Sequence, residues 1–275
     1  TALIFRNNFF ATSVLIRGRS FCYLESLTGT TAATISVMKI DRRTAIKTAA
    51  VGVGSLAITP EFLRAADGEK LFGEGFANLE TLTTGEWWKR PGNNGKPAPR
   101  GRKGAPPSMN VPRDQVVAFA MYTHQGGVLK LSAQLFPLKP GEKREARLEL
   151  MLPGQKKWSV AARTEVHYPG WDAHFRIEDW DNTNDVKYRV CHGEKAKFEG
   201  LIRRDPVDRD EIVVANLSCN SSRTTGPRDE IVRNLRRLNP DLLFFGGDQH
   251  YRHTEHTTGW IEFGLQYRDV IRDRP

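Results

Sequence analysis

Long apolar runs are missing from this 275-residue chain, and so are several short signatures that would settle a chemistry outright. The weakly apolar stretch from Ala49 to Ile58 spans about ten residues, too short to cross a bilayer. No Walker loop is present to cradle nucleotide phosphates, and "GVGS" at 52–55 does not supply one. No G-x-S-x-G elbow offers a serine nucleophile. His253 and His256 lie three apart, but Thr254 and Glu255 between them are in the wrong order for an H-E-x-x-H zinc protease. Cysteine is scarce: Cys22, Cys191 and Cys219 are the whole supply, material for a single disulfide. "NLSCNSSR" brings a thiol into a polar stretch, yet no placed His–Asp pair supports it as a nucleophile.

Acids are also short relative to bases, giving a formal charge of +9. That excess is local. Residues 1–37 carry +2, residues 38–47 carry +3, and residues 67–275 keep +4. Within the last span, residues 89–113 hold seven bases and no acid, so the remainder sums to −3. Proline, glycine and like charges keep such a segment open. Basicity here is a property of the irregular segment 67–115, and no nucleic-acid groove is required. At the front, Met38 begins a basic head, with Arg42 and Arg43 adjacent and Ile46 and Lys47 behind them, followed by the short apolar run. Residues 38–66 resemble a twin-arginine export signal, an address read by the twin-arginine machinery, with an ordinary amphipathic helix as the plain alternative. On that reading residues 1–37 lie upstream of the working protein, and the mature chain is extracytoplasmic, periplasmic or secreted, with no stable membrane span.

What is present divides into two grammars. From 116 to 205 apolar residues alternate: Leu129, Leu131, Ala133 and Leu135; Ala146, Leu148, Leu150 and Leu152; Val186, Tyr188 and Val190. The runs are separated by "KPGEKR", "LPGQKK" and "WDNTND". Alternation broken by turn residues predicts antiparallel strands with one face on a core, an all-β sandwich in which Trp158, Trp171 and Trp180 pack in the core or at its rim. From 206 to 275 the pattern changes. "EIVVANLSC" (211–219) and "PDLLFFGG" (240–247) read as strands buried on both faces. Between them Ile231, Leu235 and Leu238 recur at helical spacing, and "WIEFGLQYRDVIRD" predicts a second helix with Trp260, Phe263, Tyr267 and Ile271 facing one way. Strand, helix, strand in that order builds a parallel α/β unit, whose ligand crevice lies beyond the carboxyl ends of the strands. Cys219 stands at one such end and Asp248 at the next.

Asp248 follows Gly246 and Gly247, which permit a sharp turn or a close approach. A carboxylate there is costly to desolvate without a positive partner. With Tyr251 three residues on and Cys219 arriving from the neighbouring strand, a metal is the economical partner. Ferric iron suits carboxylate, phenolate and thiolate, and zinc is the alternative that composition alone leaves open. His250 reads as a ligand, a donor or a rim residue, and His253 and His256 as surface or supporting groups. His124, His167, His174 and His192 in the alternating region read as satisfied polar residues.

"VVANLSCNSS" and "LLFFGGDQHY", joined by an amphipathic helix and preceded by alternating strands and a twin-arginine-like signal, resemble the PhoD-like alkaline phosphatases of the calcineurin-like metallophosphoesterase superfamily. Ser218 and Cys219 match the family's first strand-end pair, and Gly247, Asp248 and Tyr251 its second. Gln249 and His250 depart from the apolar or aromatic residues usual between that Asp and Tyr. The resemblance covers roughly 116–275. It implies an immunoglobulin- or fibronectin-like sandwich (116–205) followed by the start of a metallophosphoesterase domain (206–275). It also implies that Cys219 and Tyr251 bind Fe3+, that Asp248 bridges to a Ca2+ position, and that metal-activated water hydrolyses phosphate mono- or diesters. The family's later Asn/Asp–His element has no counterpart before Pro275, so this chain by itself is expected to show little or no activity. An exported β-sandwich binding or structural protein, or another metal-dependent hydrolase, is the alternative reading.

Overall fold

The computed structural model describes residues 80–89, 108–220, 228–252 and 255–275, together with the backbone of 25–27 and 34–41. The architecture is mixed α/β, with eleven strands and two helices among the described residues. In chain order they are β1 (Glu25–Leu27), β2 (Thr34–Asp41), β3 (Val117–Gln125), β4 (Val128–Leu135), β5 (Glu145–Met151) and β6 (Ser159–Glu165). There follow β7 (Asp172–Ile177), β8 (Val186–His192), β9 (Ala196–Ile202), β10 (Glu211–Ser218), α1 (Asp229–Leu238), β11 (Leu242–Phe245) and α2 (His256–Ile271). Three sheets result, ordered β3-β4-β7, β6-β5-β8-β9 and β1-β2-β10-β11.

The alternating residues do what period two demands. Leu129, Leu131, Ala133 and Leu135 of β4 are buried, as are Ala146, Leu148 and Leu150 of β5 and Val186, Tyr188 and Val190 of β8. Pairing in both of these sheets is antiparallel throughout. The β3–β4 hairpin turns on Gly126 and Gly127, both at positive φ (57° and 76°), the backbone that a tight two-residue hairpin requires. The two sheets meet through buried side chains; Tyr122 of β3 lies edge-on to Tyr188 of β8 at 6.1 Å between ring centroids. Trp171 and Trp180 are buried, whereas Trp158 is partly exposed beneath the Arg189 guanidinium at 4.5 Å. Leu152, which continues the β5 alternation on paper, is exposed because the strand ends at Met151 and a turn begins.

The third sheet is mixed. β10 and β11 pair in parallel, with Val214 opposite Leu242 and Leu217 opposite Phe245. β10 also pairs antiparallel with β2 over its whole length, from Glu211↔Asp41 to Ser218↔Thr34. Residues 34–41 therefore straddle the boundary expected at Met38; residues 42–66 of the expected export signal lie outside the described residues. Helix α1 ends on Asn239, whose left-handed backbone (φ 46°) lets its N–H return to the Leu235 carbonyl at 2.9 Å. Asp241 then accepts the Val213 N–H at 2.8 Å and fastens β11 to β10.

Burial of β11 on both faces is not observed. Leu243 is 7% exposed and Phe244 57%. β11 is the last strand of its sheet among the described residues, and α2 covers one face through Phe263, edge-on to Phe245 at 5.2 Å. Phe244 points the other way, as period two requires.

Helix α2 is the mortar between the two regions. Phe263, Tyr267 and Ile271 are buried along one side, with Trp260 stacked on Phe263 at 4.9 Å. Its middle passes so close to β3 that a Cβ on Gly264 would lie 1.9 Å from the Phe119 ring. Glycine weakens a helix interior, and here the ring takes the space that any side chain would need. The amino end of α2 is capped from far away. The buried Glu80 carboxylate accepts the backbone N–H groups of Thr257 (2.6 Å) and Thr258 (2.8 Å), and also the Thr258 hydroxyl. Those N–H groups have no partner within the helix, and negative charge is favoured at that end. No helix among the described residues is long and apolar enough to cross a membrane.

Candidate metal centre

Parallel pairing of β10 and β11 carries on past both strand ends. Gly246 N–H donates to the Leu217 carbonyl (2.9 Å), Cys219 N–H to Gly247 (3.2 Å) and Asn220 N–H to Asp248 (2.8 Å). The ladder holds Cys219 and Asp248 side by side although 29 residues separate them. Both sit in the left-handed region at φ 57°, and Gly247 before Asp248 is at φ 111°. Two non-glycine residues in that conformation at neighbouring strand ends mark a place where local strain is held by its surroundings, a pattern common at functional sites.

The side chains converge. Asp248 Oδ2 accepts from the Tyr251 hydroxyl at 2.9 Å and lies 3.7 Å from Cys219 Sγ. Ser218 Oγ is 3.5 Å from the same sulfur and 3.4 Å from the Gly247 carbonyl. Sequence reasoning proposed Cys219, Asp248 and Tyr251 together, and the fold brings the three together. Loss of solvent first, then the hydrogen bonds with Asp248 and Cys219, raises the Tyr251 pKa. A phenol beside a carboxylate and a thiol resists ionisation, and a cation among the same atoms would reverse that preference.

The support beneath these residues was not legible beforehand. Gln249 donates its amide to the Gly247 (2.8 Å) and Leu217 (3.2 Å) carbonyls and so ties down the strand end. Asn220 is buried; its amide nitrogen reaches the Gln249 carbonyl (3.1 Å) and Gln266 Oε1 (2.9 Å), and its oxygen accepts from Arg228 Nε (2.9 Å). Arg252, also buried, pairs with Glu262 (2.8 Å) and Glu255 (3.0 Å) and anchors the loop after Tyr251 to α2. Apart from Gln249–Gly247 and Arg252–Glu255, these partners lie eight or more residues apart, so local spacing carries no sign of them. His250 packs against α2: its Nδ1 would meet a Cβ on Gly259 at 2.8 Å, and its ring lies 6.0 Å from that of His256. His253 lies outside the described residues.

A second donor group stands in the antiparallel region. Among the described residues, His167, Asp172 and His174 are the one set of three His, Cys, Asp or Glu side chains with donor atoms all within 4.8 Å. His250 accordingly does not complete a trio with Cys219 and Asp248. His192 is satisfied by the Lys143 carbonyl at 2.8 Å, whereas His124 meets the Arg203 carbonyl through Nε2 at 2.8 Å and keeps Nδ1 buried without a hydrogen-bond partner among the described residues. His167 and His174 instead meet an acid. The legible half of that signal was the D-x-H spacing of Asp172 and His174, which puts both on one face of a strand. Cys191 and Cys219 are both free thiols, and burial pushes the Cys191 pKa up.

No family model matches the sequence, and no curated protein matches it. Solved structures give partial likenesses. One described as "Structure of PhoD" shares 10% identity at a TM-score of 0.48, over 60% of this chain and 38% of that chain. The hypothetical protein PH1083 from Pyrococcus horikoshii OT3 shares 13% identity at a TM-score of 0.26, over 35% of this chain and 96% of that one. A bromine derivative of BhCBM56 shares 11% at a TM-score of 0.22, over 30% and 92%. Likenesses of this extent establish neither family nor activity.

Proposed function

We propose that this chain contributes the first metal-binding elements of an exported, metal-dependent phosphoesterase, with Cys219, Asp248 and Tyr251 as ligands. The observation that supports it is the convergence of a thiol, a carboxylate and a phenol at adjacent parallel strand ends, with Cys219 and Asp248 both at positive φ. Three oxygen and sulfur donors of this kind would suit a hard trivalent cation that also accepts thiolate, hence Fe3+, and Asp248 would also help to hold a neighbouring Ca2+. When bound, such ions supply charge to a phosphoryl oxygen and lower the pKa of water.

The chain's own residues have separable tasks. Asp248 is the pivot, since one of its oxygens already faces both other donors. Gln249 and the Cys219–Gly247 backbone bond keep the two strand ends in register, so the donors need little movement to close on an ion. Asn220 and Arg228 form a buried polar floor behind them. In this reading residues 116–205 are an immunoglobulin- or fibronectin-like sandwich carried beside the catalytic domain that begins at 206, the substrate is an extracytoplasmic phosphate ester, and delivery is by the twin-arginine machinery.

Iron binding tests this most directly. Purified protein loaded with Fe3+ is expected to show phenolate-to-iron absorption that disappears in Tyr251→Phe and shifts when inorganic phosphate is added. Iron content and absorption unchanged in Tyr251→Phe would remove Tyr251 from the site; a zinc content that follows Cys219 and Asp248 while iron is ignored would replace the metal.

A further inference from the structure

The His167, Asp172 and His174 group plays no part in that site. We infer that it is a separate binding site for a divalent transition-metal ion, with zinc as the fitting ion, and that the bound ion clamps the corner where the chain passes from one antiparallel sheet to the other.

The corner is built in three steps. β6 is the edge of the four-stranded sheet and β7 the edge of the three-stranded one, so the chain changes sheets between Glu165 and Asp172. Val166 is still tied to the first sheet through the Arg144 carbonyl (3.1 Å). The next residue, His167, donates its N–H to the Asp172 carbonyl (2.8 Å) and forms an isolated bridge with Asp172. His167 thereby faces the first residues of β7, where Asp172 and His174 stand two apart on one face.

The side chains are then aimed. Ser132 Oγ on the neighbouring β4 bonds His174 Nδ1 at 2.9 Å, which leaves Nε2 turned toward Asp172 Oδ2 at 2.5 Å. Fixing one ring nitrogen so that the other faces the metal is how ligand histidines are commonly oriented. The His167 ring lies 5.8 Å from that of His174 between centroids. The Asp172 carboxylate is held against Gly170, where a Cβ would be 2.8 Å from Oδ1. Zinc bonds of about 2.0–2.2 Å place ligands roughly 3.3 Å apart in a tetrahedron, so donors within 4.8 Å close on an ion by side-chain adjustment alone. Two imidazoles and one carboxylate make a borderline donor set that favours zinc over calcium or magnesium, and the exposure of His174 leaves the remaining positions to water.

The rival is a plain Asp172–His174 ion pair. To separate them, the full chain carrying Cys219→Ser and Asp248→Asn, which silences the other donor group, is stripped with a chelator and titrated calorimetrically with Zn2+. One ion per chain is expected, with a higher Tm. His167→Gln and His174→Gln, added singly, are expected to abolish both effects, and Ser132→Ala to weaken binding roughly tenfold. Because a histidine variant can fail to fold, the chain with all three residues intact is also loaded with Co2+. Visible d–d absorption without a thiolate band, displaced by Zn2+, supports the site where those variants fail to fold. Absence of zinc binding and of the cobalt spectrum overturns it, as does unchanged affinity in well-folded His167→Gln and His174→Gln. Loss of iron binding at Cys219 and Tyr251 leaves this result untouched.

Discussion

Residues 117–202 and residues 211–271 reach burial by different routes. In the first region two antiparallel sheets turn their apolar faces to each other, and alternate residues along β4, β5 and β8 are buried almost without exception. In the second, β10 buries the adjacent, oppositely facing Val214 and Ala215, but in β11 Leu243 is covered while Phe244 stands in the open at 57% exposure. The first region draws its core from within itself. The second depends on what is laid across it, chiefly α2, whose close contacts run both to β11 through Phe245 and to β3 through Phe119. The same asymmetry governs the donor groups: His167, Asp172 and His174 sit on a sheet corner, whereas Cys219, Asp248 and Tyr251 sit where strands end and left-handed backbone turns the chain out.

If α2 unites the regions, breaking its contact with β3 should weaken both. Phe119→Ala is expected to cost about 3–5 kcal/mol by urea denaturation, since a fully buried ring is removed from between β3 and α2. Separate transitions for the two regions in that variant would show that each folds alone, and an unchanged midpoint would refute the coupling. Gly264→Ala should destabilise by about 1–3 kcal/mol, because the added methyl strikes Phe119, although alanine is the better helix former by about 1 kcal/mol. Greater stability in that variant would show that the contact is looser than the geometry implies.

A smaller effect isolates the antiparallel region. Burial alone would raise the Glu142 pKa, but the paired hydrogen bonds from Arg113 (2.7 and 2.6 Å) and the Lys139 N–H (2.6 Å) outweigh it and hold the carboxyl below its ordinary 4.5. A depressed folded pKa means this stabilisation is present above the unfolded carboxyl range and is lost as pH falls through the folded value. Arg113→Met should therefore remove about 0.5–1 kcal/mol at neutral pH and flatten the acid side of the stability curve. An unaltered pH profile would count against the pair. The smallest effect belongs to the exposed strand face: Phe244→Lys should change stability by less than about 0.5 kcal/mol. A large loss there would reveal a covering partner and remove the contrast between the regions.

Much of the layout was legible because periodicity is local. Alternation located β4, β5 and β8 and their buried residues, while β3, with four consecutive buried residues, and β6, with none, carry no such period; the helical stripe of α2 was visible in Phe263, Tyr267 and Ile271. The strand-end positions of Cys219 and Asp248 followed from where the apolar runs stop. Phe244 was misjudged because an apolar run does not say how many faces will be covered. The grouping of His167 with Asp172 and His174 was passed over because one donor comes from before a turn and two from after it.

By itself, then, the sequence determined which segments alternate, which coil, and which chemical groups stand at their ends, since those properties depend on neighbours two to four residues away. Tertiary structure alone decided that Glu80 caps a helix beginning at His256, that Ser132 orients His174, and that β2 lies along β10. Such pairings join residues dozens to well over a hundred positions apart. Their geometry is set by how strands twist, pair and reverse together, and no local pattern records it.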